Sequence, residues 1–86
     1  MHEYSIALEV CRLAETQVGA DTVAQVATVA LEVGDDAGVE IDSLQFCLEV
    51  LLKEPPFSGA TPIIQRCQGD VLRLDYLEVD DGRPDN

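Results

Sequence analysis

Eighty-six residues set the scale of one small unit, with a core near the lower limit for independent stability. Seventeen acidic side chains face five basic ones, a net charge of -12, and 47% of the residues are apolar. That balance is globular rather than disordered. So acidic a surface repels phosphate, which argues against nucleic acid and favours cations and basic protein partners, with plain solubility as the simpler reading. No apolar run has membrane-spanning length and no basic-plus-apolar leader opens the chain, so a cytoplasmic protein without a membrane role is expected.

The chain opens Met1-His2-Glu3, and His2 is its only histidine. A free terminal amine, the His2 amide nitrogen and a His2 ring nitrogen can close two small chelate rings on one ion. A planar, nitrogen-rich donor set suits Ni(II) or Cu(II) better than Mg, Ca or structural Zn. The plainer reading of His2 is a solvated chain-end residue, and that of Glu3 is a first-turn acid favoured by the helix dipole.

Residues from Tyr4 to about Val18 carry a broad apolar stripe at helical spacing: Ile6, Val10 and Leu13 on one line, Ala7, Cys11, Ala14 and Val18 beside it. Gly19 is the expected C-cap. Thr22 to Val33 reads as a strand with one buried and one partly polar face, and a helical start between Val23 and Ala27 is left open. Residues 34–38 form a loop. Asp42 or Ser43 is the expected N-cap of a second helix. Its inner stripe is Leu44, Cys47, Leu48 and Leu51, widened by Phe46 and Val50. Pro55-Pro56 ends it. Two short β-type runs, Pro62–Gln68 and Val71–Val79, flank Gln68-Gly69-Asp70 and read as an antiparallel hairpin. Residues 81–86 read as a flexible polar tail on a single domain, 1–80. The order α-β-α-β-β predicts an α+β, two-layer sandwich, with two helices on a three-stranded sheet.

Cys11, Cys47 and Cys67 lie far apart in apolar runs, and no C-x-x-C pair occurs. Small buried hydrophobes in a reducing compartment are the expectation. No Ser/His/Asp or Cys/His set and no glycine-rich phosphate loop is present, so an enzyme is not predicted.

Met1-His2-Glu3-Tyr4-Ser5-Ile6-Ala7 resembles the opening of the HypA/HybF nickel-incorporation proteins of hydrogenase maturation. The likeness continues at Val29–Gly34, Gly38-Val39-Glu40, Leu44-Gln45-Phe46 with Glu49, Ser58-Gly59-Ala60, Gly69–Leu74 and Leu77-Glu78-Val79. It implies a transient Ni(II) site at Met1, His2 and Glu3, with Glu40 as a further carboxylate. It also implies delivery to a [NiFe]-hydrogenase large subunit with help from a maturation GTPase, or a related urease role. The family carries a zinc domain with two C-x-x-C pairs between its last two strands. Here Cys67 runs almost straight into Gly69-Asp70, so no zinc is expected. A metal-free interaction module is the alternative. Ile41-Asp42-Ser43-Leu44 separately resembles the D-S-L motif of acyl carrier proteins, which would put a modification on Ser43 in an all-helical bundle.

Overall fold

The computed structural model describes residues 2–80; Met1 and the expected tail at 81–86 lie outside them. The elements are α1 (Glu3–Val18), a short 3-10 turn (Val23–Gln25), β1 (Val26–Gly34), α2 (Ile41–Leu51), β2 (Thr61–Cys67) and β3 (Leu72–Val79). The predicted architecture of two helices on a three-stranded sheet is therefore the observed one.

On α1 the core takes Ala7, Val10 and Ala14, while Leu13 stays 40% exposed. The two alanines, each fully buried, keep that face of α1 thin where it meets the core. Gly19 closes the helix at φ 87°, its N–H donating to the Glu15 carbonyl at 2.8 Å. The ambiguous stretch after it splits: one 3-10 turn, then the strand.

β1 is the centre of the sheet, which has the order β2-β1-β3. It runs parallel to β2, from Thr28 opposite Thr61 to Gly34 opposite Cys67. It runs antiparallel to β3, from Val26 opposite Val79 to Val33 opposite Leu72. Val29, Leu31 and Val33 enter the core under the helices. On the opposite face Thr28 and Ala30 are buried as well, so the predicted one-sided burial undercounts this strand. Central position explains the difference: neighbours on both sides cover small side chains even on the open face.

The predicted hairpin does not form. β2 and β3 sit on opposite edges of the sheet, with β1 between them. A β1–α2–β2 crossover makes the parallel pair. The chain must then pass across the end of β1 to reach the far edge, about 10 Å away at two strand spacings. Residues 68–71 make that passage over Gly34. The Gly34 N–H donates to the Val71 carbonyl at 2.7 Å, Asp35 N–H to Cys67 at 2.9 Å, and Asp36 N–H to Gly69 at 2.9 Å. A Cβ on Gly34 would collide with the Gly69 carbonyl and stand 2.8 Å from the Val71 nitrogen. Gly69 does take a positive φ of 91°, as a turn glycine, but the turn it serves is this crossing.

α2 begins earlier than predicted, with Glu40 as its N-cap residue and no side-chain capping bond of its own. Asp42 and Ser43 lie inside the first turn, so neither is the cap. Leu44, Leu48 and the following Leu52 are fully buried, and Phe57 from the next turn is 5% exposed. Phe46 and Val50 do not widen the stripe: they are 66% and 44% exposed. α2 packs α1 on one flank and β2 on the other, which leaves its outer face, where Phe46 lies, to solvent. The helix ends before Pro55-Pro56, as the pre-proline restriction demands. The three cysteines are free thiols and only half-buried, less than expected of core residues. Among the described residues no helix is long and apolar enough to cross a membrane.

Candidate metal centre

α1, α2 and the crossing over Gly34 all meet at one end of the sheet, because β1 and β2 run towards it and both helices start from it. His2 is the N-cap residue of α1, extended at φ -89° and ψ 92°. Its carbonyl accepts the Ile6 N–H at 3.2 Å, its side chain makes no capping bond, and it is exposed. The first N–H groups of a helix have no partner inside it. The amide nitrogens at His2 and Glu3 are therefore not committed to the α1 ladder, as a backbone chelate requires.

Glu3 is the first residue of α1 and its only first-turn acid. Its Oε2 accepts the backbone N–H of Glu40 at 3.0 Å, a bond between residues 37 apart in sequence. That bond is the main reason the Glu3 carboxyl titrates below its ordinary range; its own backbone N–H adds to it, burial opposes it, and nearby positive charge at the chain start contributes less than either. Glu40, exposed, caps α2 with its backbone. Beside it lies an open hollow of ≈ 210 Å³ with Gly34, Asp35, Ile41 and Arg66 among its walls.

The structure thus brings Glu3 and the Glu40 backbone together, with His2 next in chain. Met1 lies outside the described residues. Among the described residues no three His, Cys, Asp or Glu side chains group to hold an ion. Cys67 sits at the end of β2 opposite Gly34, with no second thiol in C-x-x-C spacing. Ser43 is exposed in the first turn of α2, within a domain that contains a sheet, and the helical carrier-protein reading falls with that.

The fold defines a small α+β domain, two helices on a three-stranded sheet. A family model described as hydrogenase/urease nickel incorporation, metallochaperone, HypA, matches residues 1–72. The chain belongs to this HypA family, a family of metallochaperones. It is 38% identical over 69 residues to the hydrogenase maturation factor HypA of Azoarcus sp. (strain BH72), a match covering 80% of this chain and 60% of that protein. The HypA of Chlorobaculum parvum is 34% identical over 68 residues, 79% of this chain and 60% of its own. That of Azotobacter chroococcum mcd 1 is 42% identical over 60 residues, 70% and 53%. The chain thus spans about 60% or less of the length of these curated relatives. The family match stops at Leu72, the first residue of β3, so the likeness at Leu77-Glu78-Val79 lies beyond it.

Proposed function

We propose that residues 1–80 act as one unit that carries Ni(II) as a transient cargo, in the maturation of a hydrogenase or urease. The donors are the amine of Met1, the amide and one ring nitrogen of His2, and the backbone at Glu3, with the Glu40 carboxylate as a further oxygen. The observation that supports this most is the corner itself: an uncapped, exposed His2 at the start of α1, one residue from a side chain tied to Glu40. Membership in a nickel-incorporation family supports the choice of metal. A chelate of chain-start nitrogens needs no deep pocket, so it does not depend on a zinc module. Without C-x-x-C pairs, this chain is expected to bind no structural zinc.

Exposure suits a carrier, since the ion must leave again. A hydrogenase large subunit, assisted by a maturation GTPase, is the proposed recipient, in the cytoplasm. The net charge of -12 would speed docking onto basic surfaces and make it sensitive to salt. Binding weakens as pH falls, because the amine and imidazole must lose protons to bind.

The test is a Ni(II) titration of protein with an authentic N-terminus, of the same protein with one residue added before Met1, and of His2→Ala. Both changes are expected to abolish the chelate. Equal affinity in all three samples would place the metal elsewhere.

A metal-free interaction module is the second reading, favoured by the apolar side chains left exposed on the helices: Phe46 at 66%, Tyr4 at 55%, Leu8 at 45% and Val50 at 44%. In that case His2→Ala leaves partner binding untouched, while Phe46→Ala weakens it.

A further inference from the structure

Among the described residues, the bond from Glu40 N–H to the Glu3 carboxylate is the one side-chain hydrogen bond that ties the start of α1 to the start of α2. It supplies something α2 lacks. Glu40 occupies the N-cap position, yet no side chain of α2 caps its own first turn. Glu3 brings an anion to that end from another helix, where free N–H groups and the helix dipole both favour one. The position is equally significant for α1. His2 is the neighbouring residue, its Cα about 3.8 Å from that of Glu3. Gripping Glu3 therefore fixes the root of the His2 arm against the residue that bears the Glu40 carboxylate. At the same end of the sheet, the Asp35 and Asp36 N–H groups donate to the Cys67 and Gly69 carbonyls.

We propose that Glu3 is a positioning residue. Its side chain anchors the metal-carrying arm to the α2 N-cap amide and is not itself a nickel ligand. This rests on the nickel reading above, and it assigns to the Glu3 side chain a separate task within it. A chelate loses affinity to the conformational freedom its donors give up on binding, and an anchored root reduces that loss. Outer groups that orient ligands typically change metal affinity about 10–100-fold when removed.

Glutamine separates the two roles. Its side-chain oxygen still accepts an N–H, whereas its donor strength towards a metal is that of a neutral amide. The full chain with an authentic N-terminus is compared as wild type, Glu3→Gln and Glu3→Ala. Without metal, amide exchange at Glu40 is followed by NMR. With Ni(II) as the probe, affinity is measured by titration. Glu3→Ala is expected to speed Glu40 exchange about tenfold and to weaken nickel by at least about tenfold. Glu3→Gln is expected to recover most of both. Two results overturn the proposal: Glu40 exchanging as fast in wild type as in Glu3→Ala, or Glu3→Gln losing as much nickel as Glu3→Ala. His2→Ala keeps the failures apart. Nickel binding unaffected by His2→Ala defeats the chelate reading, while Glu40 exchange still reports the anchor.

Discussion

Two sites at the same end of the sheet are built in opposite ways. The crossing at residues 68–71 is locked by backbone: three hydrogen bonds to Gly34, Asp35 and Asp36, over a residue with no room for a Cβ. At that same end the His2–Glu3–Glu40 corner, with His2 and Glu40 exposed, is held among the described residues by one side-chain bond. The first can hardly change without cost to the fold. The second can change at the cost of one exposed hydrogen bond. The proposed carrier role calls for that division, a rigid base and a corner open enough to load and release an ion.

The sharpest way to break the contrast is Gly34→Ala. The new methyl group meets the Gly69 carbonyl and the Val71 nitrogen, which are backbone atoms unable to swing away. The expected cost is about 3 kcal/mol or more, a large part of what a small domain has to lose. Urea denaturation reads it, and an unchanged midpoint would mean the crossing is loose. Leu48→Ala is expected to cost about 2–5 kcal/mol by the same measurement, since Leu48 is fully buried between the layers.

A smaller effect is expected at Cys11, half-buried on α1. Burial pushes its thiol pKa up, because the thiolate is the form that loses water. The folded value is raised, so its contribution to stability is complete below the ordinary thiol range and is lost as pH climbs through the folded value. In a Cys47→Ala, Cys67→Ala background, alkylation of Cys11 at pH 8 is expected to run several-fold slower than after unfolding in urea. Equal rates would show that the site is open to solvent. Smallest of all is the stability change for His2→Ala. Its side chain makes no capping bond, so the urea midpoint is expected to stay put while nickel affinity collapses. A fall in the midpoint would move His2 from the open corner to the structural side of the comparison.

Much of this was legible in the residues. The apolar spacing of α1 and α2, the Gly19 cap and the Pro55-Pro56 stop are local signals, and each appears where local physics puts it. The stripe on α2 was read too wide because periodicity names a face without saying how much of it a partner covers. Phe46 fits the period and still points to solvent. Asp42 and Ser43 are good local caps, but α2 starts earlier, with Glu40 as its N-cap residue, whose N–H finds its acceptor on Glu3 of the other helix. The proposed donors Met1, His2 and Glu3 stand as a run in the sequence. The contact between Glu3 and the Glu40 amide was not, since no spacing rule spans 37 residues.

Sequence alone determined the element types, the acidic surface, the absence of C-x-x-C pairs and the lone histidine beside the first residue, because these depend on composition and short spacing. Tertiary structure decided strand order. Gln68-Gly69-Asp70 has the chemistry of a hairpin turn, and only the central place of β1, buried on both faces, forces the chain across its end instead. The same packing sets the start of α1 against the start of α2, and so makes a corner out of residues that the chain itself keeps far apart.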